Sequence, residues 1–142
     1  METIRRFLVL TPAAFAITAA VLLPLMTAGN LSLATVGIAL LTALAVTAGV
    51  LVLILAAAGL LRLLRVRNAW AVLGAACVLA VVTATVAYAL VAASLPPDDE
   101  GWNLLYVTGS AVASVPAWLG YAVGLLVLGR RDRVVAARNE AG

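Results

Sequence analysis

The sequence predicts an all-α integral membrane protein, a four-helix bundle made of two transmembrane hairpins. Of the 142 residues, 65% are apolar and only 11% are charged, whereas a soluble domain is typically about 45–50% apolar and about 25% charged. The apolar residues form four runs of membrane-spanning length, and the charges lie outside these runs. A water-soluble fold of this size has too little interior for so much apolar surface, so lipid is the expected solvent.

The positions of the charged residues along the chain predict the orientation of the protein in the membrane. All nine basic residues are Arg, and they fall at the amino end, in the link 62–67 and in the tail 130–142. These segments carry a net +6, whereas the loop 95–102 carries −3 from Asp98, Asp99 and Glu100. Because cytoplasmic loops are rich in Arg, we expect both termini and the link in the cytoplasm, in a cell inner membrane. The topology-setting residues are Arg5, Arg6, Arg62, Arg65, Arg67, Arg130, Arg131 and Arg133.

The first predicted span is 7–28, which as a helix reaches about 33 Å, enough to cross a hydrocarbon core of about 30 Å. An alternative is a cleaved signal peptide, because Arg5 and Arg6 precede the apolar stretch and small residues lie at 16–20. The apolar stretch is longer than a typical signal core, which favours a retained helix. A short turn after it predicts that the first two helices are neighbours.

The second predicted span is 34–61, but the apolar run that contains it begins at Leu31 and is longer than a membrane needs. The helix either tilts or places its start in the outer headgroup zone. Ser32 is a plausible N-cap. Small residues recur at every fourth position, which is typical of close helix contact: Thr35, Ala39, Ala43 and Thr47.

The third predicted span is 69–94. Asn68 is a plausible N-cap, and Trp70 lies where an interfacial aromatic residue is expected. Prolines at 96–97 end the helix. A less distinct small-residue face comprises Ala76, Ala80, Thr83, Ala84 and Ala87.

The fourth predicted span, 103–129, is the most patterned stretch. Gly120 and Gly124 form a GxxxG motif, which allows two backbones to approach closely, and Pro116 is expected to kink the helix. Bulky Val112, Val115, Leu119 and Leu126 lie opposite and are expected to face lipid. The candidate helix-packing or ligand face comprises Tyr106, Gly109, Ser110, Ala113, Ala117, Gly120, Tyr121 and Gly124.

Two interpretations of this face are open. With Ser114 and Trp118, its polar side chains can line a pocket for a lipid or another apolar ligand beside the Pro116 kink. Alternatively, the hydroxyls bond to neighbouring helices or to their own backbone, and Trp118 packs against a partner. We favour packing.

The sequence contains few residues suited to catalysis, ion transport or metal binding. No predicted span contains a charged residue, although such residues mark most transport pathways, and the chain has no His. Acids at 98–100 are expected to be a solvated loop rather than a cation site. Cys77, the only cysteine, is expected to be an inert core residue rather than a nucleophile. We therefore predict no catalytic residue, no cofactor and no metal, and not an enzyme.

The function predicted is that of a non-catalytic accessory or scaffolding subunit, whose partners are the lipid bilayer and another membrane protein or a second copy of itself. Nucleic acid is not expected, because the arginines flank membrane spans. The alternative is a passive carrier or oligomeric pore for an apolar or uncharged solute or lipid. A lipid-modifying enzyme is a third possibility, which no group of residues supports.

Overall fold

The computed structural model consists of four helices: α1 (Glu2–Thr27), α2 (Leu33–Leu63), α3 (Ala69–Ser94) and α4 (Glu100–Glu140). It describes residues 2–28, 32–66, 68–94 and 100–140, with backbone only at 91, 94, 100–107, 132, 133 and 136–140. Each helix contains a stretch long and apolar enough to cross a membrane: Glu2–Thr27, Leu33–Leu63, Ala69–Leu90 and Thr108–Arg131. The chain is therefore all-α with four candidate membrane spans.

α3 has the bounds of its predicted span, whereas α1 and α2 begin before theirs and α4 extends past its span at both ends. α1 includes the charged residues before 7, where Glu2 and Arg6 form a salt bridge of 2.7 Å one helical turn apart. α4 opens at Glu100, which was expected in the loop, and it continues beyond 129 to Glu140. The sequence from 130 to 140 has no Gly or Pro and includes good helix formers such as Ala and Arg. Charge ends the apolar stretch, but it does not end the helix.

Both predicted N-caps are confirmed. The Ser32 hydroxyl accepts a hydrogen bond from the Thr35 amide at 3.1 Å, and the Thr35 hydroxyl oxygen accepts one from the Ser32 amide at 3.1 Å. This reciprocal pair is a capping box that satisfies free amides at the start of α2. At the start of α3, the Asn68 side-chain oxygen accepts from the Trp70 amide at 3.0 Å.

The end of α2 turns sharply at Arg65, which has a φ of 58°. The Val66 amide donates to the Leu61 carbonyl at 2.9 Å, and the Arg65 amide donates to the Arg62 carbonyl at 3.1 Å. These two bonds define a Schellman motif, whose left-handed position is usually occupied by glycine. Here an arginine occupies it.

α1 packs against both α2 and α4, and α2 also packs against α3 and α4. The predicted small-residue stripe of α2 is confirmed as a contact face, because Ala39, Ala43 and Thr47 are buried and Ala43 clusters with Ala19 and Leu22 of α1. The buried Thr47 hydroxyl donates to the Ala43 carbonyl at 2.8 Å. Its hydrogen-bonding requirement is thus met within its own helix.

The predicted small-residue face of α3 is only partly right. Ala76 is fully buried and Ala80 and Ala84 are half-buried, but Thr83 and Ala87 are exposed on the protein surface. The buried residues at the start of α3 also include bulky Val72 and Leu73. The buried side of α3 therefore combines bulky residues near its start with the small residues Ala76, Ala80 and Ala84 further along.

Candidate functional site

The candidate face of α4 divides into two halves. Towards the C-terminal end of the span, its residues pack against α1. Ala117 and Tyr121 are fully buried, and bulky residues on the opposite side of α4 are exposed. The exposed set comprises Val112, Val115, Leu119 and Leu126.

The glycines of the GxxxG motif lie directly against α1. A Cβ atom added at Gly120 would lie 2.8 Å from the Cα atom of Ala14, closer than non-bonded carbons can pack. At Gly124, an added Cβ would lie 2.5 Å from a methyl carbon of Leu10. Gly120 therefore requires glycine for the observed distance between α1 and α4, as the motif generally allows, whereas a methyl group at Gly124 would meet only the flexible Leu10 side chain.

Tyr121 joins the same two helices by a polar contact. Its hydroxyl lies 3.0 Å from the Thr11 Oγ1 atom, and its ring meets that of Phe7 edge to face, with centroids 5.9 Å apart. Thr11 donates its one hydroxyl hydrogen to the Phe7 carbonyl at 3.0 Å. Tyr121 must then be the donor to Thr11, and its hydroxyl is satisfied although the side chain is fully buried.

The other half of the face lies on the surface. Gly109 and Ser110 are exposed, and a Cβ added at Gly109 would meet nothing within 4 Å. Ser114 donates to the Ala111 carbonyl of its own helix at 2.7 Å. Ala113 packs against the cluster of Ala19, Leu22 and Ala43, whereas the Tyr106 side chain lies outside the described residues.

The polar groups near the kink therefore take part in packing. Tyr121 bonds to another helix, Ser114 bonds to its own backbone, and Trp118 is half-buried against the core that contains Ala117. Pro116 lies inside α4 and is buried. The face thus does not come together as one continuous polar pocket within the described part of the chain.

A cavity of about 990 Å³ opens where α1 begins, α2 ends and α3 begins. We call this region the arginine end, because Arg6, Arg62 and Arg65 all line the cavity. Arg5 lines a smaller adjoining cavity of about 400 Å³. The arginine pattern of the sequence predicts that these residues share one membrane surface, but it does not predict a cavity between them.

Of the four remaining topology-setting arginines, the structure describes the side chains of two. Arg130 and Arg131 are exposed on α4. Arg67 and the side chain of Arg133 lie outside the described residues, as does the acidic segment 98–99. The described residues thus bring three of the eight together around one space.

Cys77 corrects a sequence expectation. It lies on the exposed surface of α3 rather than in the core, because the neighbouring Ala76 takes the buried position. Among the described residues, no three His, Cys, Asp or Glu side chains come together as a metal site would require.

Comparison with protein-family models, with curated proteins and with solved structures finds no match to this chain.

Proposed function

We propose that the protein is a non-catalytic interaction subunit of a cell inner membrane, with both termini in the cytoplasm, that packs against another membrane protein or a second copy of itself. The observation that carries the proposal is the surface position of small and hydroxyl residues where lipid-facing positions usually hold bulky ones. Gly109 and Ser110 of α4 and Thr83 and Ala87 of α3 are exposed.

Small surface residues favour a partner for a physical reason. Helices in lipid associate through close van der Waals packing and hydrogen bonds between helices rather than through the hydrophobic effect, so interfaces are enriched in Gly, Ala, Ser and Thr. Elsewhere on α4 the outward positions are bulky, as at Val112, which is 64% exposed. The same helix therefore presents two chemically different outer faces.

The carrier or pore alternative has less support from the geometry. In that alternative, the solute passes along the candidate face of α4. On this face, however, Gly120 lies against the Ala14 backbone and Tyr121 is fully buried. The described part of that face leaves no room for a solute between α1 and α4 at these positions.

The test is site-specific photocrosslinking in native membranes at native abundance. A benzophenone amino acid is placed at Ser110, and in a second variant at Val112, which lies at a similar depth on the opposite side. We expect a discrete crosslinked band from position 110 and only lipid adducts from position 112. Equal crosslinking from both positions, or none from position 110 together with a monomer in mild detergent, would overturn the proposal.

A further inference from the structure

The cavity at the arginine end combines charge with an apolar surface. Arg62 and Arg65 contribute to its wall from the end of α2, and Arg6 contributes from α1. Ile4, Val72 and Leu125 line the same space. The space of about 990 Å³ is a cleft that is partly open to the outside, and Arg62 and Arg65 are exposed at its edge.

The charges around the cavity do not cancel. Glu2 also lines it, but its carboxylate is held by Arg6 at 2.7 Å. Within the described part of the chain, no carboxylate pairs with Arg62 or Arg65. Two guanidinium groups therefore give the cavity a net positive charge.

We propose that this cavity binds the phosphate of an anionic amphiphile, with a phospholipid of the surrounding membrane as the source. The planar fork of N–H donors in a guanidinium group matches a phosphate in a bidentate manner. The apolar side chains beside it suit the first carbons of an acyl chain, because these carbons would cover apolar cavity wall that water otherwise contacts at the membrane surface. The proposal is independent of the interaction function proposed above.

The position of Arg65 supports a binding role. A left-handed backbone is unfavourable for a residue other than glycine, yet the chain has an arginine there at φ 58°. The Schellman motif fixes this residue beside the cavity, three positions after Arg62, so both guanidinium groups start from a defined turn.

The experiment is native mass spectrometry of the full-length protein released from nanodiscs that contain equal amounts of phosphatidylglycerol and phosphatidylcholine. We expect a retained phosphatidylglycerol adduct in the wild-type protein. A charge-assisted hydrogen bond from each arginine to the bound phosphate contributes roughly tenfold to binding, beyond the general attraction that any arginine at the membrane surface exerts on anionic lipid. The variant Arg62→Gln/Arg65→Gln should therefore lower the adduct by about 100-fold.

The matched control is Arg130→Gln/Arg131→Gln, which removes the same charge from exposed positions of α4 that do not line the cavity. It should keep most of the adduct. Ala69→Phe fills part of the cavity without changing any charge, and it should also reduce the adduct. This variant keeps the proposal testable if the double arginine variant does not fold.

A second arm separates lipid from soluble phosphate as the source. Inorganic phosphate is titrated into the protein in phosphatidylcholine nanodiscs at constant ionic strength. Binding of phosphate alone, lost in Arg62→Gln/Arg65→Gln, would support the phosphate site with a soluble source. Equal adduct loss in the two double variants, or no preference for either lipid and no phosphate binding, would overturn the proposal.

Discussion

The Tyr121 hydroxyl lies 3.0 Å from Thr11 Oγ1 and joins α4 to α1 through a contact between residues far apart in the sequence. Because Thr11 gives its hydrogen to the Phe7 carbonyl, Tyr121 donates and Thr11 accepts. Both hydroxyls are thereby satisfied in a part of the protein where lipid and apolar side chains offer no other partner. This pair adds a polar link to the apolar packing between α1 and α4.

Replacement of Tyr121 by Phe should destabilise the protein by about 0.5–1.5 kcal/mol, because hydrogen bonds between membrane helices average about 0.6 kcal/mol and reach about 1.7 kcal/mol. The ring contact with Phe7 is retained. Unfolding in mixed detergent micelles measures the change. Thr11→Val should cost a similar amount and should add little in the double variant. Tyr88→Phe, at a more exposed tyrosine of α3, is the control and should have no effect.

The same variant separates packing from transport. If the face that contains Tyr121 and Ser110 only packs helices together, the protein does not release solute. Liposomes that contain the wild-type protein, Tyr121→Phe or Ser110→Ala should then all release solute at the rate of empty liposomes. Release by the wild-type protein that is lost in either folded variant would instead favour the carrier alternative.

Gly120→Ala should destabilise the protein by about 1–3 kcal/mol, the usual cost of overpacking. The new methyl group would meet the Ala14 backbone at 2.8 Å, which cannot move without displacing α1. Gly124→Ala should cost less, because its nearest neighbour is the end of the flexible Leu10 side chain, and Leu10→Ala should partly rescue it.

Gly109→Ala is the matched control in the same helix. Its added methyl group has open space, and alanine is favoured over glycine in a helix by about 1 kcal/mol. Thermal unfolding in detergent should show it to be neutral or more stable. A Gly109→Ala effect as large as that of Gly120→Ala would contradict the close α1–α4 contact.

Arg65→Gly should be more stable than Arg65→Ala by about 1 kcal/mol. Both variants remove the guanidinium group, but only glycine adopts the observed φ of 58° without the left-handed cost. The difference between the two unfolding free energies isolates the backbone contribution. Equal stability would show that the Schellman motif does not form at this position.

Local patterns predicted much of this fold because their physical causes are local. The caps at Ser32 and Asn68 each depend on residues within three positions along the chain, and Ala39, Ala43 and Thr47 recur at helical spacing. The α3 face was harder to predict, because small residues occur all round that helix and burial depends on how Val72 and Leu73 fit against other helices.

The arginine-end cavity lay beyond sequence reasoning for a similar reason. It requires Arg6 of α1 to meet Arg62 and Arg65 of α2, and no spacing along the chain encodes that convergence. The motif 120–124 indicated a close contact but not its partner, which the structure identifies as Ala14 and Leu10 of α1.

Membrane orientation is testable because Cys77 is the only cysteine. In a Cys77→Ser background, a membrane-impermeant thiol reagent should label Asp98→Cys in intact cells and should label Asn68→Cys only after permeabilisation. The reason is that arginine-rich segments of membrane proteins generally stay in the cytoplasm, and the proposed orientation then puts the loop 95–102 outside the cell. Cys77→Ser itself should be tolerated, since the side chain lies on the protein surface. Labelling of Asn68→Cys from outside intact cells would reverse the proposed orientation of all four helices.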